Sequence, residues 1–132
     1  MKRSIIKECL RRARAKNSPS THTQWHSFMH YSFVVQNNKV IEMGVNRQGS
    51  VPKHYGYQKH KMIHAEVDAY KKARGILSDG GFEVVNIRLN RRGDLRESCP
   101  CPECFHLMRE FGCTRFHFST NPGIFATMST QE

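Results

Sequence analysis

Two short runs of this sequence carry side chains that could hold a metal and move a proton: His64-Ala65-Glu66 and Pro100-Cys101-Pro102-Glu103-Cys104. One imidazole and two thiolates give Zn²⁺ three ligands and leave the fourth tetrahedral position for water, as in a catalytic rather than a closed structural site. Cys101 and Cys104 are spaced to put both sulfurs on one side of a helix start. A helix N-terminus favours thiolate over thiol. Pro100 and Pro102 narrow the backbone choices around Cys101. Glu66, beside His64, is the candidate for the proton transfers. A C-x-x-C pair alone would equally fit a redox motif or a zinc knuckle, and His64 with Glu66 shifts the balance to catalysis.

Other metal-capable residues are read conservatively. Cys99 is an extra thiol next to the ligands, but the intervening Pro100 makes joint coordination with Cys101 awkward, so it is placed in the wall of the site. His22, His26, His30, His54 and His60 are scattered and are assigned surface or hydrogen-bonding roles. Cys9 and Cys113 read as buried thiols.

The elements that must position these groups follow from periodicity. Residues 3 to 16 place Ile6, Cys9, Leu10 and Ala13 at helical spacing, ahead of Ser18 and Pro19. Tyr31 to Val35 and Val40 to Val45 read as strands of a hairpin turned by Asn37-Asn38. Residues 46 to 62, with Gly49, Pro52 and Gly56, read as a long irregular connection. The run from His64 reads as a helix with small alanines inward and Gly75 at its end, and Phe82 to Leu89 as a strand. Arg92-Gly93-Asp94 breaks that strand. A helix from about Pro102 then carries Phe105, Met108 and Phe111 inward and closes at Gly112. Thr114 to Ser119 reads as a strand, Asn121-Pro122-Gly123 as a turn, and Ile124 to Met128 as a last strand. Too few residues follow Ser119 for a parallel return, so that strand should run antiparallel. Strands alternating with helices predict an α/β fold with a mixed sheet of four to five strands.

The 132 residues suit a single domain, 1–132, and 38% hydrophobic with 24% charged residues is a globular balance. A formal charge of +10 and a pI near 9.8 favour phosphate-bearing partners without choosing among them. Lys7, Glu8, Arg11 and Arg12 interrupt any signal-peptide core, and no run approaches a membrane span, so no membrane partner and a soluble, cytoplasmic location are expected. Three cysteines within residues 99 to 104 suit a metal site in a reducing compartment better than a disulfide framework.

H-x-E followed by P-C-x-x-C is the signature of zinc-dependent nucleobase deaminases, and His64, Glu66, Pro100, Cys101 and Cys104 match every specified type. With Gly44-Val45-Asn46 at the end of the second strand, similar to the family's G-x-N, residues 4 to 120 resemble the cytidine and deoxycytidylate deaminase superfamily, most closely its small phage- and bacteria-associated members. The resemblance implies a three-layer α-β-α fold, a Zn²⁺ cofactor, and hydroxide on the metal attacking the amine-bearing ring carbon while Glu66 shuttles protons. It implies that Asn46 bonds the substrate sugar, that the Ala65 N–H holds the base carbonyl, and that the Cys99 carbonyl accepts the exocyclic amine; asparagine after a strand also simply stabilises turns. It further implies that homo-oligomers can complete the site.

The leading substrate expectation is a free pyrimidine nucleoside or nucleotide: cytidine, deoxycytidine or dCMP. Arg47, Lys53, His54, Tyr55, Tyr57 and Lys59 mix cations with aromatic rings, which suits a nucleotide phosphate or single-stranded DNA or RNA equally. A solvated basic loop would look the same. A purine substrate is a weaker reading. A basic zinc module binding nucleic acid without catalysis would need His64, Cys101 and Cys104 but not Glu66.

Overall fold

In the computed structural model, residues 1–17, 28–48, 62–120 and 124–130 are described, with the backbone alone at 28, 47, 48, 62 and 63. The candidate contacts Lys53, His54, Tyr55, Tyr57 and Lys59, histidines 22, 26 and 60, and the turn expected at 121–123 lie outside them. The chain runs α1 (Arg3–Lys16), β1 (Phe28–Gln36), β2 (Lys39–Val45), β3 (Arg47–Gln48), β4 (Met62–Ile63), α2 (Ala65–Ala73), β5 (Phe82–Asn90), β6 (Leu95–Arg96), α3 (Pro102–Glu110), β7 (Cys113–Thr120) and β8 (Ile124–Ser129). No helix among the described residues is long and apolar enough to cross a membrane.

The main sheet has the order β2-β1-β5-β7-β8, with β6 paired to β5. Among the described residues only β5 and β7 pair in parallel; β1 meets both β2 and β5 antiparallel, and β8 meets β7 antiparallel as expected. Helix α2 therefore carries the chain over β1 rather than to an adjacent parallel strand. Asn37 and Asn38 take φ of 53° and 59°, the left-handed pair that a two-residue hairpin turn requires.

Alternation along the strands divides two cores. Met29, Tyr31, Phe33 and Val35 of β1, with Val85, Ile87 and Leu89 of β5, pack with Cys9 and Ala13 of α1. Val34, Val84 and Phe116 face the other way, with Val67, Ala69 and Ala73 of α2 and Leu107 and Met108 of α3. The result is three layers, α-β-α. In α1 it is Ile5, rather than Ile6, that joins Leu10 against the core.

Three features depart from the sequence reading. The 46 to 62 connection is not irregular throughout, because its ends pair, Arg47 with Ile63 and Gln48 with Met62. After the Arg92-Gly93-Asp94 break the chain doubles back as β6, with Leu95 opposite Leu89 and Arg96 opposite Arg88. Strand β1 begins at Phe28, because β5 supplies partners as far as Asn90. Long-range pairing of this kind leaves little periodicity in a two-residue strand.

Candidate metal and proton-transfer site

His64 and Cys101 are the N-caps of α2 and α3, and both are in extended conformation. The helices therefore begin one residue after each of these two side chains. Their starts converge because the helices are clamped together further along, where the Tyr70 and Phe111 rings stack at 4.2 Å and Tyr70 also meets Phe82. Helix α2 is in turn seated on β2. A Cβ at Gly44 would lie 2.2 Å from the Ala69 nitrogen and 2.3 Å from the Ala65 oxygen, so only glycine permits the approach. Beside it, the buried Asp68 carboxylate accepts the Val45 N–H at 3.0 Å and pairs with Lys72 at 3.2 Å.

Ligand-capable atoms of His64, Cys101 and Cys104 lie within 4.8 Å of one another. His64 Nδ1 is 3.0 Å from Cys104 Sγ and 3.9 Å from Cys101 Sγ. Tetrahedral zinc with ordinary bond lengths spaces nitrogen and sulfur roughly 3.5 Å apart, so the donor set fits a soft divalent ion. The Cys101 thiol is drawn down to about 4 by hydrogen bonds from the Cys104 thiol and then from His64. Cys104 is pushed up, first by sharing its proton with Cys101 and then by burial. The Cys101 sulfur also caps α3, accepting the Cys104 N–H at 3.4 Å. Cys99 is exposed, and its thiol is not in the group.

Glu66 is buried beside this group, and burial raises its carboxyl above the ordinary value. A chain of buried polar groups runs from it through the sheet. Ser32 Oγ lies 3.5 Å from Glu66 Oε1 and donates to Asn86 Oδ1 at 2.5 Å; Asn86 Nδ2 donates to the Ser98 carbonyl at 3.3 Å. The Ser98 hydroxyl donates to the Asn86 carbonyl at 2.8 Å and accepts the Ser119 N–H, also at 2.8 Å. The carboxylate is thus tied to the loop that presents Cys101. These partners were missed in the sequence. Their signal was a polar side chain at an inward position of an otherwise apolar strand.

Asn46 Oδ1 accepts the His30 N–H at 2.9 Å, and the Asn46 N–H donates to the His30 carbonyl at 3.3 Å. The turn-stabilising role is therefore present, and the amide NH₂ has no partner among the described residues. Ala65 is buried at the start of α2, and Arg47 is placed by its backbone in β3.

No family model matches the chain, and no curated protein matches it. Among solved structures it is similar to the cytidine deaminase of Burkholderia pseudomallei, with a TM-score of 0.67 and 19% identity over 98% of this chain and 94% of that one. The chain has the cytidine deaminase fold. The dCMP deaminase of cyanophage S-TIM5, solved with dCMP and dUMP, shares this deaminase fold at TM-score 0.56 and 21% identity, over 86% of this chain and 79% of that one. The cytidine deaminase of Mycobacterium leprae does so at 0.55 and 18%, over 94% and 88%.

Proposed function

We propose that the protein is a zinc-dependent deaminase that hydrolyses the cytosine amine of a pyrimidine nucleoside or nucleotide to give uracil and ammonia. The observation that carries this reading is the juxtaposition of a three-donor His64, Cys101 and Cys104 group with the buried carboxyl of Glu66. The solved deaminases that share the fold support it. Zinc, when bound there, supplies the Lewis acid that makes water nucleophilic near neutral pH. The residues do the rest. Glu66 accepts a proton from the attacking water and delivers protons to the ring nitrogen and the departing amine, a role that a raised carboxyl pKa suits. Asn46 holds the sugar through its amide, and the Ala65 N–H and Cys99 carbonyl hold the base.

A second reading, deamination of cytosine in single-stranded DNA or RNA, draws on the exposed cations of α1, among them Arg11, Arg14 and Lys16. The Glu66→Ala protein tests the shared mechanism. It should retain one zinc per chain and lose at least about a thousandfold in deamination, measured by mass spectrometry across cytidine, deoxycytidine, dCMP and oligonucleotides. Near wild-type turnover in that variant would falsify it. A variant that keeps zinc and nucleic-acid binding, from a wild type that never deaminates, would instead identify a non-catalytic zinc module.

A further inference from the structure

The polar chain that leads from Glu66 into the sheet has a fixed direction, and one side chain sets it. Along its edge away from β1, strand β5 changes partner: it pairs with β7 as far as Asn86, opposite Phe118, and with β6 from Arg88, opposite Arg96. Ser98 fills the fork between β7 and β6. Its N–H donates to the Ser119 carbonyl at 2.8 Å, and its hydroxyl accepts the Ser119 N–H and donates to the Asn86 carbonyl, each at 2.8 Å. The segment that leads to Cys101 is thereby seated on both strands. Asn86 closes the seat, with its Nδ2 donating to the Ser98 carbonyl at 3.3 Å.

A carbonyl can only accept, so Asn86 must turn its NH₂ to Ser98 and its amide oxygen to Ser32. The one proton of the Ser32 hydroxyl then goes to Asn86 Oδ1, 2.5 Å away. What Ser32 offers to Glu66 Oε1, at 3.5 Å, is a lone pair. The Glu66 carboxyl also meets its own N–H and the Cys104 thiol, in the first turns of α2 and α3. Among the described residues Ser32 is its contact with the sheet. The core does not require this chain. Ser32, Asn86, Ser98 and Ser119 are fully buried, and two residues further along β1 and β5 the same face carries Val34 and Val84. Apolar side chains would fill these positions without needing partners, whereas a fully bonded polar network fixes one arrangement of its members. Departures from local rules beside a reactive group mark functional positions.

We propose that Asn86 is a positioning residue that holds the Glu66 carboxyl, through Ser32, and the Cys99–Cys101 segment, through Ser98, at one fixed separation. This rests on the deaminase reading and deepens it. During turnover Glu66 carries a proton from the attacking water toward the departing amine. While it does so, the carboxyl O–H bonds to the Ser32 lone pair, and the proton stays on Glu66. Ser32 has no proton to give in return, so the carboxylate is released once the proton has left. On the other side, the bond from Asn86 fixes the Ser98–Cys99 peptide. That peptide leads directly to the Cys99 carbonyl, the proposed acceptor of the exocyclic amine, and to Cys101.

Three measurements separate the two sides: kcat and KM of the zinc-loaded protein on cytidine, deoxycytidine and dCMP, zinc Kd by chelator competition, and melting temperature. Ser32→Ala removes the contact with Glu66 alone. It should lower kcat by about ten- to a hundredfold with KM and zinc Kd little changed, and Ser32→Thr, which keeps the hydroxyl, should recover most of the loss. Asn86→Ala loosens both sides, so it should lower kcat at least as far and also weaken zinc binding by about fivefold or more. Wild-type kcat in Ser32→Ala overturns the proposal. So does an Asn86→Ala protein that melts earlier yet keeps its kcat and zinc Kd, because a purely structural role would move the melting temperature alone. Should Asn86→Ala fail to fold, Ser98→Ala replaces it: weaker zinc binding supports the link to the Cys101 segment, and an unchanged Kd overturns it. If the wild type deaminates no cytosine compound, the deaminase reading fails by itself, and zinc affinity still decides the positioning. A Kd raised in Asn86→Ala but not in Ser32→Ala supports it, and equal values in all three proteins overturn it.

Discussion

At the scale of single residues, the five cysteines separate by environment, and this can be read by alkylation. Cys99 is exposed, while burial pushes Cys9 and Cys113 up to about 12. In the zinc-loaded protein only Cys99 should react quickly with a maleimide at pH 7, and Cys9 and Cys113 should wait for unfolding. Chelation should add Cys101, whose thiolate persists at neutral pH. Mass spectrometry counts the labels, and a Cys101 that reacts equally fast with and without chelator would remove it from the ligand set. His30 gives a pH test. Burial, then Arg88 and His64, lowers its imidazole from 6.5 to about 4. Between those values the unfolded chain binds the proton and the folded chain does not. The stability tied to neutral His30 is therefore complete above pH 6.5 and is lost as pH falls toward 4, on the order of 3 kcal/mol. Denaturation at stepped pH should show this slope, and His30→Gln should flatten it. That His64, Cys101 and Cys104 come together as a possible donor group, with Glu66 beside them, was legible because metal chemistry restricts side-chain identity; His30 was read as an ordinary histidine because its neighbours come from other strands.

At the scale of elements, the placement of α2 on β2 sets the distance between Asn46 and Glu66. The Gly44 contact with Ala65 and Ala69, and the Asp68 bond to Val45, are the two clamps. Gly44→Ala would force its methyl into the helix backbone, which no side-chain rotamer can relieve. A loss of about 3 kcal/mol or more is expected in urea denaturation, together with weaker zinc binding if α2 moves as a unit. An unchanged midpoint would show that the helix sits further from β2 than described. The alanines of α2 announced a close face in the sequence, and the hairpin announced itself by its paired asparagines. By contrast, β3, β4 and β6 were illegible, since each has only two residues and exists because a partner strand lies alongside.

At the scale of the molecule, one sheet separates an α1 core from a core shared by α2 and α3, and the candidate metal group spans the latter two helices. Removing zinc with a chelator should therefore lower the melting temperature of the whole chain and not merely loosen a loop, by a stabilisation of about 4 kcal/mol when free metal is a thousandfold above its Kd. Calorimetry with and without chelator checks it, and coincident melting curves would place the ion outside the structural connection between α2 and α3. The sequence alone determined the donor types, the acid beside them, the three helices and the antiparallel last strand, because spacing, capping and alternation are local properties of the chain. The tertiary structure decided the rest. It led the Ser32 and Asn86 bonds from Glu66 to the Ser98 loop, set α2 across β1, and aligned His30, Arg88 and Arg96. Those relations join strands far apart in the chain, and only register and packing bring them to one face.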